Sequence, residues 1–180
     1  HGPDHSDTAT ILNNLAQTFQ SLGQYDKALE LQQQVLSIKK KVLGPDHPDT
    51  ANILNNLALT HHSLGQYDKA LELQQQALTI SKKVLGPDHP TTLINLNNLA
   101  VFHSSLGQYE KTLELQRQVL SINKKVLGSD HPTTLINLSN LAITHDSLAQ
   151  HDKALELHRL ALEMRKKTLG LDHPHTADSL

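Results

Sequence analysis

Histidine is the residue type best placed to do chemistry in this sequence, with thirteen copies against no cysteine. Five of them, His5, His47, His89, His131 and His173, each follow an aspartate, and an Asp-His pair could supply half of a metal site. A bound ion needs its ligands to converge within about 2 Å. These five instead recur every 42 residues, and equivalent residues of stacked helix pairs stand roughly 20 Å apart, about two helix diameters. The spacing argues for a structural role, in which Asp and His tie a connector to the adjoining helix ends through hydrogen bonds. His61 and His62 are adjacent, and neighbouring helical side chains point about 100° apart. They do not share an ion; His61 is expected in the core and His62 outward.

The remaining chemistry is sparse. There is no nucleophile elbow and no phosphate-binding loop, and the serines and carboxylates recur only because a longer unit recurs. Lys40-Lys41, Lys82-Lys83, Lys124-Lys125 and Lys166-Lys167 form a basic ladder that could meet nucleic acid or an acidic partner. The plainer reading is a solvated helix end that offsets the helix dipole, balanced by Glu30, Glu72, Glu114 and Glu156. A formal charge of -2 and a pI near 6.7 give no electrostatic reason to expect nucleic acid. No apolar run approaches the roughly 20 residues of a spanning helix, and no signal-peptide pattern opens the chain. A cysteine-free, membrane-free composition fits a cytoplasmic protein. The expectation is a protein that is not an enzyme and uses no metal or cofactor.

The elements that carry these residues come from one repeated text. Residues 44–85 are matched by 2–43 at 34 of 42 positions, and 86–127 and 128–169 follow at the same spacing. Residues 170–180 begin a fifth copy, and both ends read as cut from a longer array. A unit of this size cannot bury its own apolar face and must stack on its neighbours, so residues 1–180 are read as a single array.

Within the second copy, Ile53, Leu54, Leu57 and Ala58 have the spacing of one helical face over residues 49–63. We call this helix A. Pro48 suits its first position, and Asp46, Asp49 or Thr50 can accept from the free amides of the first turn. Leu64-Gly65-Gln66 breaks it, glycine serving a left-handed turn. A second stripe, Ala70, Leu71, Leu73, Ala77, Leu78, Ile80 and Val84, predicts helix B from residue 67 to about 85, closed by Lys82, Lys83 and Gly86. Copy three has Thr112 where the small alanine belongs. Copy four has Ala149 and His151 in place of the turn glycine and tyrosine, and is expected to be the loosest unit.

Leu57-Ala58, Gly65, Tyr67, Ala70 and Ala77-Leu78 stand in the order and spacing of the tetratricopeptide repeat, which the whole chain resembles. The 42-residue period, the Gly-Pro-Asp-His-Pro connector and the Asn-Asn-Leu-Ala run are similar to the kinesin-light-chain type. The resemblance implies an all-α fold: a right-handed superhelical solenoid of antiparallel helix pairs, with four repeats and a truncated fifth. The chain departs from the shorter repeats where they place aromatics. On helix B it carries Gln32, Gln74, Gln116 and His158, and on helix A it keeps Phe19 but has His61, His103 and His145. Buried neutral histidines there would make the array less stable in acid.

In such arrays helix A lines the concave surface, and the residue before the first signature leucine points into it. Here that residue is Asn14, Asn56, Asn98 and Asn140. Asparagine both donates and accepts, so a row of them can hold an extended peptide backbone without reading its sequence. Beside the row lie Asn13, Asn55, Asn97 and Ser139, and one turn on lie Gln17, Leu59, Val101 and Ile143. The alternative is that the asparagines only bond neighbouring helices together. Family members that clamp a terminal carboxylate do so with Lys and Arg on helix A, which has neither here, so an acidic C-terminal peptide is a poor candidate. The expected function is a non-catalytic scaffold that binds a peptide segment of a protein partner. The competing expectation is a structural spacer or self-associating array, stacking end to end through its C-terminal repeat.

Overall fold

The structure, a computed structural model, describes residues 6–169. His5, His173 and the start of the fifth copy lie outside the described residues. Eight helices run through the described residues: α1 (Ser6–Ser21), α2 (Tyr25–Leu43), α3 (Pro48–Ser63), α4 (Tyr67–Val84), α5 (Pro90–Ser105), α6 (Tyr109–Val126), α7 (Pro132–Ser147) and α8 (His151–Leu169). Odd-numbered helices are the A helices and even-numbered ones the B helices. Both match the expected bounds to within a residue. Among the described residues there is no strand.

Each A helix ends in the same two-bond turn. In copy two the Gly65 amide donates to the His62 carbonyl and the Gln66 amide to the His61 carbonyl, both at 2.9 Å, with Gly65 at φ 72°. This is the Schellman arrangement, which returns orphan helix carbonyls to use and needs a left-handed residue. Copy four makes the same two bonds with Ala149 at φ 55°. The helix A histidines secure this turn. His61 and His145 are buried, and their Nδ1 atoms stand 2.6 and 2.9 Å from the Oε1 atoms of Gln66 and Gln150.

The connector differs from expectation in one detail. The cap on α3, α5 and α7 is supplied by histidine, on α3 rather than by Asp46, Asp49 or Thr50: Nδ1 of His47 accepts from the Asp49 amide at 3.1 Å, and His89 and His131 accept alike from Thr91 and Thr133 at 3.2 Å. The threonine donates backwards, Thr50 Oγ1 to the Gly44 carbonyl at 2.9 Å, closing the loop over a glycine at φ 95°.

The chain divides into two compact units, residues 1–102 and 103–180. In the first, α2 packs against both α1 and α3, and α3 against α4. Its core includes Val35, Leu54, Leu57, Ala58, Ala70, Ala77 and Leu78, all buried. The helix B stripe ends a turn early, because Val84 is exposed. The buried aromatic of this unit is Phe102, packed with Ala58 and Ala70. It occupies a position that is threonine in the other copies, one residue before the place where the repeat pattern calls for an aromatic. His62 is accordingly not outward. Its ring stacks on Phe102 at 4.6 Å and meets Tyr67 edge-on at 5.2 Å. In the second unit, α7 packs against α6 and α8, around Leu113, Leu120, Leu135, Leu138, Leu141 and Ala161.

Candidate functional site

A helix that buries one stripe leaves another at i, i+4 and i+7. On α3 this outer strip is Asn52, Asn56 and Leu59, and on α1 it is Thr10, Asn14 and Gln17. On α5 it is Ile94, Asn98 and Val101, with the two apolar residues 53% and 52% exposed. In the second unit, α7 offers Ile136, Asn140 and Ile143, the isoleucines 52% and 57% exposed. The position one turn before the asparagine, Thr10, Asn52, Ile94 and Ile136, was not among the expected site residues. Its place four residues ahead of a row asparagine was the available signal.

The two asparagine rows are not equivalent. Asn13, Asn55 and Asn97 are half-buried, as is Ser139, and Asn98 Nδ2 donates to Asn55 Oδ1 at 2.8 Å. That bond links α3 to α5, so these two asparagines do join neighbouring helices. Asn14 and Asn140 are exposed and Asn56 is half-buried.

What stands behind the strip differs from one junction to the next. Where α4 meets α5, Gln74 Nε2 donates to the carbonyl and to Oδ1 of Asn95, both at 3.1 Å. Asn95 Nδ2 donates in turn to Ser81 Oγ at 2.8 Å. All three residues are buried, a polar layer in the place where shorter repeats carry an aromatic. The same two positions recur in the second unit as Asn123 and Asn137, Nδ2 donating to Oδ1 at 2.6 Å.

Where α2 meets α3, these positions hold Lys39 and Ile53. The inner part of the junction is still bonded: Gln20 Nε2 donates to Thr60 Oγ1 at 2.5 Å, and Thr60 Oγ1 donates to Gln32 Oε1 at 2.9 Å. The outer part is open. Lys39 extends past Ile53 to Asp49, Nζ to Oδ2 at 2.9 Å, and a cavity of about 310 Å³ remains, lined by Ala9, Thr10, Asn13, Gln17, Val35, Lys39, Asp49, Asn52, Ile53 and Asn56. The A helices themselves carry no Lys or Arg, yet a cation reaches their face from α2. A carboxylate clamp is still absent, because Asp49 already answers that charge. The sequence signal was a lysine at a position that is serine or asparagine in copies two and three.

A larger concavity, about 480 Å³, lies among α2, α4 and the connector, floored by Leu54, Pro45 and Ile80 and rimmed by Lys40, Asp46 and Glu72. It includes none of the expected site residues. Lys83, one of the basic ladder, pairs with Asp46 at its edge, which fits the solvated-ladder reading. Among the described residues no helix is long and apolar enough to cross a membrane.

The tetratricopeptide repeat profile matches residues 7–83, 49–122 and 93–167. Among solved structures, a Podosopora anserina protein described as a kinesin light chain with nearly identical TPR-like repeats is 32% identical, with TM-score 0.86 over 97% of this chain and 83% of that one. BtubC from P. vanneervenii gives TM-score 0.81 at 22% identity over 92% of this chain and 66% of that one, and aspartyl phosphate phosphatase F from Bacillus subtilis gives 0.74 at 18% over 89% and 41%; these two share the fold. No curated protein sequence matches. With its period, turns and helix bounds alike in every copy, the chain belongs to the tetratricopeptide repeat family, in its kinesin-light-chain-like form.

Proposed function

We propose that the protein is a non-catalytic interaction module, working in the cytoplasm, that holds a peptide segment of a protein partner along the outer strip of its A helices. The observation that carries this reading is the strip itself. It is uncharged on every A helix, it offers amides at Asn14, Asn56, Asn98 and Asn140, and it grades from Gln17 to Leu59, Val101 and Ile143. Amides satisfy an extended backbone, and exposed Val and Ile supply apolar area at about 25 cal/mol per Å² buried. Membership of a family whose arrays mediate protein–protein contacts supports it.

The test is selection of peptides from a random library on the immobilised protein, followed by titration of the best binder into Asn56→Ala and Val101→Asp. Binding weakens roughly tenfold or more, the loss of about 1.4 kcal/mol, with helicity unchanged. A structural spacer is the second reading, favoured by the Asn98–Asn55 bond. It yields no selected peptide, or one indifferent to both changes. Light scattering against concentration separates its self-associating form, which grows in mass where a spacer stays monomeric.

A further inference from the structure

The junctions α2–α3, α4–α5 and α6–α7 follow one pairing rule. At the outer position of helix B, Lys39 pairs with Asp49 and lies beside Ile53. Ser81 instead meets Asn95, and Asn123 meets Asn137; these A helices carry Thr91 and Thr133 where α3 has its aspartate. A cation on B thus goes with Asp and Ile on A, and a hydroxyl or amide on B goes with Thr and Asn. Two further helices carry the first set. α8 has Arg165 at the position of Lys39, and α1 has Asp7 and Ile11 at those of Asp49 and Ile53.

The apolar part of the face agrees. At α2–α3, Ile53 and Leu57 pack with Val35 and Ile38. On α1 their equivalents Ile11 and Leu15 are exposed, and α8 offers Ala161 and Met164 at the positions of Val35 and Ile38. Thr60 is buried at its junction, whereas its equivalent Thr18 is exposed. In the 42-residue register, residues 175 and 179 are His and Ser, so the start of the fifth copy does not repeat the Asp–Ile pair that α1 carries.

We propose that the exposed face of α1 is a docking surface for α8 of a second copy of this chain, a head-to-tail junction of the α2–α3 type in which Arg165 of one copy pairs with Asp7 of the other. Opposite charges on the two faces favour this contact, while α1 on α1 or α8 on α8 sets like charges together. The contact joins two different surfaces, so it propagates from copy to copy unless a ring closes. It goes beyond the peptide-strip reading and does not depend on it. On α3 the junction residues Ile53, Leu57 and Thr60 are buried, while Asn52, Asn56 and Leu59 on the strip keep exposed surface.

The experiment follows the mass of the full chain by sedimentation equilibrium over rising concentration. The weight-average mass is expected to grow with concentration, and less steeply at high salt. Arg165→Glu and Asp7→Lys each weaken the association roughly tenfold or more, and Leu15→Asp does so with both charges kept, helicity being unchanged in all three. An equimolar mixture of Arg165→Glu and Asp7→Lys regains the growth that each lacks alone, because the reversed faces match each other. A chain that stays monomeric at every concentration, growth indifferent to the variants, or a mixture no larger than its parts each overturns the junction. Peptide selection on the strip is read separately. A monomeric chain that selects a peptide removes the junction alone, and a growing chain that selects none removes the strip alone.

Discussion

The α2–α3 and α4–α5 junctions are built from nearly the same text and finish differently. At α4–α5 the outer positions are Ser81 and Asn95, joined to each other and to Gln74 in a buried chain of bonds. At α2–α3 they are Lys39 and Ile53, which cannot bond, and the lysine goes to Asp49 instead. One junction is sealed by polar pairing. The other keeps an open cavity. Two substitutions per junction thus decide whether a repeat boundary is closed by side-chain bonds or left open. Buried polar groups are stabilising only when all are satisfied.

The sealed junction is where a single change has the largest effect. Asn95→Leu removes the side-chain bonds to both Gln74 and Ser81 inside the core, leaving them the residue-95 and Ala77 carbonyls, and should lower stability by about 2 kcal/mol in chemical denaturation. A loss below about 1 kcal/mol would mean that the polar chain holds little. Conversion of the open junction is milder. Lys39→Ser with Ile53→Asn installs the Ser–Asn pair between α2 and α3, and the shift in denaturation midpoint should be smaller than for Asn95→Leu. A shift as large as that of Asn95→Leu would break the comparison.

Smaller effects follow from the turns and connectors that hold the junctions at their spacing. Ala149→Gly should raise stability by about 1 kcal/mol, because φ 55° strains an L-residue. Gly65→Ala should lower it by a similar amount, and since no atom lies within 4 Å of an added Cβ there, the cost is one of backbone conformation alone. His131→Ala, which deletes the cap on Thr133, should cost about 1 kcal/mol.

The smallest effect is that of pH. Burial holds the His62 imidazole below its ordinary 6.5. Above pH 6.5 the ring is neutral folded and unfolded, and its contribution is complete. As pH falls from 6.5 toward the lowered folded value, the unfolded chain takes up a proton that the folded chain refuses, so stability is lost. Thermal melting should be lower at pH 5.5 than at pH 7.5, and His62→Phe should narrow the gap. An unchanged gap would locate the acid sensitivity elsewhere.

The period alone made the eight helices legible, because each copy repeats the same apolar face, turn and cap position. The junction chemistry was not legible in the same way. Ser81 and Asn95 are 14 residues apart on different helices, and Asn55 and Asn98 are 43 apart. Periodicity within a helix reports which face is buried, not which residue of the next repeat it meets. Phe102 was missed because it sits one residue ahead of the aromatic position, yet the α5 face turns it into the core. Lys39 was missed because a long side chain delivers its charge to a neighbouring surface. Asn98 was expected in the groove. It lies on the strip and also bonds Asn55, so the linking alternative holds for that pair.

The most direct measurement sets the two concavities against each other. A library-selected peptide is titrated by calorimetry into Leu59→Asp, on the A-helix strip, and into Thr79→Asp, which lines the larger cavity beside α4. The account predicts that Leu59→Asp weakens binding roughly tenfold or more while Thr79→Asp leaves the affinity unchanged. Loss of binding in Thr79→Asp with full affinity in Leu59→Asp would contradict it.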